Sequence, residues 1–301
     1  MDKVAEKIKE LKAKNNAIIL AHTYQRPEVQ DLADFVGDSL ELSMRAKDNS
    51  ADVIVFCGVR FMAETAKIIS PQKTVLLAEA GAGCPMAEMI TADELRELKF
   101  KYPTYKVVTY VNSTAEVKAL SDICCTSSNA VKVVSSIPDS HGVIFVPDTN
   151  LGSYVQRTLN RKNMVIWQGH CYVHSQIMEE EVLELKKKYP KAVTFAHPEC
   201  SEHVLKHADH ILSTSGMIKK AGELSHDEFI VITEQGILHP LKKKYPNKKF
   251  YALDRAVCLN MKKTTVESVL SSLELMRYSV EIPRDVIESA KRAVFNMLEL
   301  K

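Results

Sequence analysis

Three of the seven cysteines recur at one fixed interval along the chain. Cys84, Cys171 and Cys258 stand 87 residues apart each time. Structural zinc is normally four-coordinate and uses closely spaced cysteine pairs, and the chain contains no C-x-x-C pair. Thiolates also bind iron–sulfur clusters, and three cysteines would leave one iron of a [4Fe–4S] cluster without a protein ligand. Because an open iron is a Lewis acid, this spacing favours loss of water from a substrate over electron transfer.

The sequence leaves a fourth thiol ligand open. Cys200 and the adjacent Cys124 and Cys125 lie near other residues of the inferred site. A lone cysteine in an α/β protein is usually a small buried hydrophobic residue. We favour that interpretation for these three residues and for Cys57. The shared interval of 87 residues argues against it for Cys84, Cys171 and Cys258.

Three further sets of polar residues recur at intervals of 88 and then 87 residues. They are His22, Tyr110 and His197; Tyr24, Asn112 and Glu199; and Ser39, Ser127 and Thr214. Histidine, tyrosine and carboxylate side chains transfer protons in enzymes. A hydroxyl at a helix N-terminus lies beside free backbone N–H groups that suit carboxylate or phosphate. The sets therefore predict acid–base chemistry on a small anionic substrate.

Structural roles for these residues compete with the functional ones. A histidine at a strand end is more often a hydrogen-bonded core residue than a catalytic group. The three hydroxyl residues could simply cap helices, although capping and anion binding use the same helix end and do not exclude each other. The matching positions in three copies favour a functional role.

Short apolar runs alternate with amphipathic stretches along the chain, which predicts parallel sheets built from βαβ units. The first copy has predicted strands at 17–21, 52–56 and 74–77 and predicted helices at 29–47 and 61–69. The later copies have predicted strands at 106–110, 143–146, 163–167, 192–196, 229–232 and 249–252. Further helices are predicted at 2–14 and 283–300.

This repeat predicts an α/β protein of three similar domains, bounded as 1–104, 105–190 and 191–282. We expect the terminal helix 283–300 to pack back on the first domain. In an open parallel sheet, the ligand crevice lies at the carboxyl ends of the strands, where most of the recurring residues fall. A pseudo-threefold arrangement of the three domains would bring these residues to one central site.

Composition excludes several classes of protein. The chain has 40 Lys and Arg against 38 Asp and Glu, for a net charge of +2, and this balance argues against a nucleic-acid partner. No apolar stretch reaches the roughly 18 residues of a membrane span, and the first residues lack the pattern of a secretory signal. An odd number of cysteines fits reduced thiols, so we expect a cytoplasmic protein. The glycine-rich motif G-x-G-x-x-G is absent.

The motifs around these positions resemble those of the quinolinate synthase family over essentially the whole chain. They are His22-Thr23-Tyr24-Gln25, Gly37-Asp38-Ser39, Cys84-Pro85-Met86-Ala87, Tyr110-Val111-Asn112, Thr126-Ser127-Ser128, Gly169-His170-Cys171, His197-Pro198-Glu199-Cys200, Ser213-Thr214-Ser215 and Cys258-Leu259-Asn260-Met261. The resemblance implies three-layer α/β/α domains around a central active site. It also implies a [4Fe–4S] cluster held by Cys84, Cys171 and Cys258.

The reaction that the resemblance implies condenses iminoaspartate with dihydroxyacetone phosphate to give quinolinate, with loss of phosphate and water, in NAD biosynthesis. The substrate-binding residues that it implies are His22, Ser39, Tyr110, Val111, Asn112, Ser127, His174, His197, Pro198, Glu199 and Thr214. The enzyme that supplies iminoaspartate is a candidate partner. The family motif more often reads His-Asn-Tyr-Gln, and we expect Thr23 to change packing without loss of activity.

Proton transfer in this reaction has five candidate residues. They are His22, Tyr24, Tyr110, His197 and Glu199. We expect Glu199 to act as a base, with Tyr24 and His22 assisting at the phosphate-bearing substrate.

Three other functions stay open at this point. A different cluster-dependent hydro-lyase would share the open iron but would need no site for a triose phosphate. An iron–sulfur or metal sensor would leave the recurring histidines, tyrosines and hydroxyls unexplained, and it would usually add a nucleic-acid-binding module. A structural zinc protein fits the cysteine spacing least well.

Overall fold

The computed structural model describes residues 2–300, and its first unit is a four-stranded parallel sheet with helices on both faces. The strands are β1 Ala17–His22, β2 Phe35–Gly37, β3 Val53–Cys57 and β4 Thr74–Leu77, and the helices are α1 Asp2–Lys14, α2 Pro27–Leu32, α3 Ser39–Lys47 and α4 Arg60–Ile69. The strand order is β2-β1-β3-β4. Every residue of β3 is buried, as expected for a strand covered by helices on both sides.

The second and third units repeat this sheet in the same strand order. The second unit has strands β5 Lys106–Tyr110, β6 Ile123–Cys125, β7 Val143–Val146 and β8 Met164–Ile166, with helices α5 Ala92–Lys101, α6 Ala115–Ala119, α7 Ala130–Ser135, α8 Thr149–Leu159 and α9 Tyr172–Ser175. The third has helix α10 Glu179–Lys188, strands β9 Val193–Ala196, β10 His210–Ile211, β11 Glu228–Ile232 and β12 Lys249–Tyr251, and helices α11 Glu202–Leu205, α12 Thr214–Glu223 and α13 Leu238–Lys244. Helices α14 Val266–Leu275 and α15 Arg284–Glu299 follow. The predicted α/β class with three similar domains and parallel sheets is confirmed.

Each unit also has a short edge strand that the sequence pattern did not reveal. Strands β2, β6 and β10 contain three, three and two residues. The single helix predicted over 29–47 was therefore wrong, because β2 separates α2 from α3. Strand β2 lies inside the amphipathic pattern of the helices on either side, and its three residues are too few to interrupt that pattern.

An aspartate immediately before each edge strand ties it to the central strand. The carboxylates of Asp34, Asp122 and Asp209 accept hydrogen bonds from the backbone N–H groups of Ile19, Val107 and Thr194, at 2.8, 2.8 and 2.7 Å. The N–H groups of the same aspartates donate back to the carbonyls of those three residues. The repeated aspartate therefore sets where each edge strand begins.

Replacing Asp209 with Ala is expected to lower the free energy of unfolding by about 1–3 kcal/mol, because the N–H of Thr194 loses its acceptor. Urea denaturation of the variant beside the unchanged protein measures this loss. The exposed Asp254 offers a control, since Asp254→Ala should stay within about 0.5 kcal/mol. Equal stability of the two variants would contradict the role given to the aspartate.

The helices that precede the second and third sheets pack on the sheet that follows them. Leu95 of α5 lies in one buried cluster with Val107, and Val182 of α10 lies in another with Ile230. We therefore propose domain boundaries before α5 and before α10, in place of the predicted ones, which follow these helices. A repeat in the sequence gives the length of the period, but it does not say where the folded unit begins.

The last two helices join the units. Helix α14, which the sequence placed in the third domain, packs against α1 and β3 of the first, and Val269 and Leu273 share a buried cluster with Ile8 and Leu11. Helix α15 was expected to pack on the first domain, and it contacts both α4 of the first unit and α6 and β6 of the second. Among the described helices, none is long and apolar enough to cross a membrane.

Candidate active site

One central cavity of about 70 Å³ is lined by residues from all three units. Its walls contain the three evenly spaced cysteines Cys84, Cys171 and Cys258. They also contain ten of the other predicted site residues, namely His22, Tyr24, Ser39, Tyr110, Asn112, Ser127, His174, His197, Glu199 and Thr214. Two predicted residues lie outside these walls. Val111 is buried just beyond β5, and Pro198 lines a separate groove beside Ser127.

Parallel topology explains why residues so far apart in sequence meet here. His22 ends β1, Tyr110 ends β5 and His197 follows β9. The three hydroxyl residues follow the edge strands, and the three cysteines follow β4, β8 and β12. All of these positions lie at the carboxyl ends of strands, where open α/β sheets bind ligands.

The three cysteines of the cavity are partly buried thiols. Burial raises the pKa of Cys84 to about 12 and raises the pKa of Cys171 and Cys258 as well. The hydroxyl of Tyr172, from the second unit, lies 3.7 Å from Sγ of Cys258 in the third. Metal binding here would displace the thiol protons, since the thiolate is the ligand.

The remaining cysteines belong to the packed cores. Cys57, Cys124, Cys125 and Cys200 are fully buried, and none of them lines the cavity. Sγ of Cys200 lies 3.8 Å from the carbonyl oxygen of Ile232, inside a hydrophobic cluster. Within residues 2–300 the cavity therefore receives three thiols, and the fourth that the sequence left open does not reach it.

His22 and His197 share a local geometry that fixes their protonation. Nδ1 of His22 accepts a hydrogen bond from the N–H of Tyr24 at 3.2 Å, and Nδ1 of His197 accepts one from the N–H of Glu199 at 3.3 Å. Burial lowers the pKa of both histidines to about 3. Both rings are therefore neutral near pH 7, and each keeps its proton on Nε2. In His197 this nitrogen lies 3.2 Å from Oγ of Ser127.

Glu199 is a buried carboxylate with one occupied and one free oxygen. Its Oε2 lies 2.7 Å from Nδ1 of His174. Burial acts to raise the pKa of Glu199, but the interactions with His174 outweigh it and hold the pKa below its ordinary value. Oε1 has no hydrogen-bond partner among the described residues, so it is the atom available to a ligand.

Thr233 is a site residue that the sequence analysis missed. Its hydroxyl lies 2.6 Å from the hydroxyl of Tyr24 and 2.8 Å from Nε2 of His174. Thr233 belongs to the third unit, and its hydroxyl thereby links Tyr24 of the first unit to His174 of the second. The position directly after the corresponding strand holds Gly58 in the first unit and Pro147 in the second, so the repeat gave no signal for it.

Two of the three hydroxyl residues are left free because their neighbours cap the helices. The carboxylate of Asp38 caps α3, which begins at Ser39, and the hydroxyl of Ser213 caps α12, which begins at Thr214. The hydroxyls of Ser39 and Thr214 make no hydrogen bond within the described chain. The capping role that competed with ligand binding is thus filled by other residues.

Tyr110 and Asn112 complete the wall contributed by the second unit. Burial, reinforced by the charge of Glu199, raises the pKa of Tyr110 well above its ordinary value, so its hydroxyl keeps its proton. Burial and the charge of Glu199 also raise the pKa of Tyr24 well above its ordinary value. The Oδ1 atom of Asn112 is buried without a hydrogen-bond partner among the described residues, and it can accept one from a ligand.

One group in the cavity has the donor set of a metal site. Cys171, His174 and Glu199 each offer a ligand atom, and these atoms lie within 4.8 Å of one another. Nδ1 of His174 lies 3.2 Å from Sγ of Cys171. From the sequence we expected Cys171 to bind metal and the other two residues to bind substrate, and the three side chains lie side by side in the structure.

Comparisons with known proteins agree with this geometry. The profile of the family described as quinolinate synthetase A protein matches residues 6–299. Quinolinate synthase 2 of Methanosarcina acetivorans is 54% identical over 298 residues, which cover 99% of this chain and 96% of that protein. The quinolinate synthase of Caldicellulosiruptor saccharolyticus is 50% identical over 301 residues, covering 100% of this chain and 99% of that protein.

A further relative covers the chain to a similar extent. The quinolinate synthase of Pyrococcus abyssi is 52% identical over 299 residues, which cover 99% of each chain. The match therefore extends over all three units and over every residue that lines the cavity. The chain is an enzyme that belongs to the quinolinate synthetase A family.

Proposed function

We propose that the chain condenses iminoaspartate with dihydroxyacetone phosphate to form quinolinate, releasing phosphate and water, in NAD biosynthesis. The observation that carries the proposal is that three thiols, the acid–base residues and three hydroxyls from separate units line one cavity. The names of the relatives support the product, and the family resemblance supplies the two substrates.

We further propose that Cys84, Cys171 and Cys258 hold a [4Fe–4S] cluster. The donor set fits such a group, because three thiols from three units line the cavity while the other described cysteines are buried in the cores. When bound, the cluster supplies an iron with an open coordination position, which acts as a Lewis acid for loss of water.

The hydroxyls of Ser39, Ser127 and Thr214 are suited to the carboxylates and the phosphate of the substrates. Ser39 and Thr214 open helices of nine and ten residues, and the N-terminus of a helix favours anions. Hydrogen bonds from the Nε2–H groups of His22 and His197 add two neutral donors. Anionic substrates can therefore be bound although the cavity wall contains no lysine or arginine.

Proton transfer is assigned to side chains whose charge state the cavity fixes. Glu199 is ionised and has a free Oε1, so it serves as the base that takes a proton from a substrate carbon. Tyr24 and Tyr110 stay protonated and can donate to developing oxygen anions. His22 has the role of hydrogen-bond donor in this arrangement, because its Nδ1 is occupied by the N–H of Tyr24 and its proton stays on Nε2.

Replacing Thr233 with Val is expected to lower kcat about tenfold or more while leaving bound iron unchanged. The variant removes the hydroxyl that links Tyr24 to His174, and two hydrogen bonds of ordinary strength correspond to about that factor. Steady-state kinetics and iron analysis of the same samples check the prediction. Thr194→Val is the matched control, because the buried hydroxyl of Thr194 has no partner among the described residues. Equal kcat values in the two variants would show that the hydroxyl of Thr233 has no role in turnover.

A two-substrate assay tests the proposed function. Anaerobically prepared protein should form quinolinate only when iminoaspartate and dihydroxyacetone phosphate are both present, with release of phosphate. A cluster-bearing protein that dehydrates a hydroxy acid but forms no quinolinate from this pair would contradict the proposal and favour the hydro-lyase alternative.

We also propose a cytoplasmic location. Its support is the state of the seven cysteines, all of which are unpaired. Thiols stay reduced in the cytoplasm, whereas oxidising compartments favour disulfides.

A further inference from the structure

Two fully buried carboxylates contact the loops that carry two of the cavity cysteines. The first is Asp148, which stands two residues after β7. Its Oδ1 accepts a hydrogen bond from the N–H of Leu151 at 2.6 Å, and its Oδ2 accepts one from the N–H of Cys171 at 3.3 Å. A single carboxylate thus caps helix α8 and holds the backbone of a cysteine on the neighbouring loop.

The third unit repeats this contact with a glutamate. Glu234 stands two residues after β11, and its Oε1 accepts a hydrogen bond from the N–H of Cys258 at 3.1 Å. The same oxygen lies 2.9 Å from Nζ of Lys262, and Oε2 accepts from the N–H of Gly236 at 2.7 Å. Both oxygens of this fully buried side chain are therefore occupied.

In the first unit the corresponding position does not hold a carboxylate. The residue two positions after β3 is Val59. The loop that leads to Cys84 is instead held by a backbone hydrogen bond of 2.8 Å from the N–H of Arg60 to the carbonyl of Ala82. A unit of this fold can therefore form without an acid at this position, and the contact between an acid and a cysteine N–H is specific to the second and third units.

We propose that Asp148 and Glu234 are positioning residues that orient Cys171 and Cys258 toward a shared cluster. The hydrogen bonds of 3.3 and 3.1 Å fix the direction of the cysteine N–H groups, because each acid is itself held by a further backbone hydrogen bond. Partners just outside a metal's own ligands set ligand orientation, and their loss typically costs about 10–100-fold in metal affinity. This inference rests on the proposed cluster, and it adds the residues that hold two of its three ligands in place.

Asp148→Asn and Glu234→Gln test the role in the full chain, because each keeps the side-chain shape and gives up one acceptor oxygen. After anaerobic reconstitution, the rate at which a ferrous chelator removes iron should rise about tenfold or more in each variant. The electron paramagnetic resonance spectrum of the reduced cluster should also change, which a purely structural role would not cause.

Matched controls make the same chemical changes away from the cysteines. Asp209→Asn alters a carboxylate that accepts the N–H of Thr194 inside a sheet, and Glu64→Gln alters one that accepts the N–H of Ala115. Both controls should release iron at the rate of the unchanged protein. Equal release from all four variants, or unchanged release from Asp148→Asn and Glu234→Gln, would overturn the inference.

Two further variants keep the inference testable if the amide variants do not fold. If the amide variants show no native circular dichroism, Asp148→Glu and Glu234→Asp keep a carboxylate at a changed length and should release iron at an intermediate rate. Release at the unchanged rate from these folded variants would also overturn the inference. Absence of iron and sulfide from the unchanged protein would instead contradict the proposed cluster, so the two failures are distinguishable.

Discussion

Replacing any one of Cys84, Cys171 and Cys258 with Ala is expected to reduce bound iron about tenfold or more. Each thiol comes from a different unit and is one of only three that line the cavity within residues 2–300. Losing one ligand of three should cost at least as much affinity as losing a supporting residue outside the ligand set, which costs about 10–100-fold. Iron and acid-labile sulfide are measured on anaerobically reconstituted protein.

Cys125→Ala and Cys200→Ala are the controls for this experiment. Both thiols are fully buried in the cores and do not line the cavity, so their loss should leave iron content unchanged. Circular dichroism of all five metal-free variants separates loss of iron from loss of fold. Full iron in all three variants of the cavity cysteines would end the cluster assignment.

Glu199→Gln is expected to slow quinolinate formation by about 100- to 10,000-fold while leaving the cluster in place. Removal of a general base typically has an effect of this size. The amide keeps the shape of the side chain and an oxygen that can accept from His174, so the cavity should keep its form. The measurement is kcat under saturating substrates, with iron content determined on the same preparation.

Glu64→Gln is the matched control for this substitution. Glu64 is a largely buried carboxylate that accepts the N–H of Ala115 outside the cavity. Its variant should retain turnover. If Glu199→Gln turned over as fast as this control, Glu199 would have no role as a base.

The repeat in the sequence predicts most of the site because it carries both topology and chemistry. Cys84, Cys171 and Cys258 occupy one position in three copies, and parallel strands send equivalent positions to the same edge of each sheet. The same argument located His22 and Glu199 without any coordinates. Polar residues that occupy corresponding positions in all three copies are therefore visible in the sequence.

The sequence repeat does not reveal a residue that acts in one copy alone. Thr233 has Gly58 and Pro147 as its counterparts, so nothing in the repeat marks the hydroxyl that joins Tyr24 to His174. The edge strand β2 was missed for a different reason, because its three residues lie inside the amphipathic pattern of the flanking helices.

The positions of helices α5 and α10 also had to come from the structure. Periodicity does not reveal which of two sheets a connecting helix will cover. Their apolar residues, such as Leu95 and Val182, are equally compatible with either neighbour until packing is known.

The most direct test measures iron, sulfide and quinolinate production together in anaerobically prepared protein. We expect about four iron and four sulfide per chain, with quinolinate formation that rises in proportion to cluster content. Iron-free protein that forms quinolinate at the same rate, or protein that binds one zinc ion and no sulfide, would contradict this expectation.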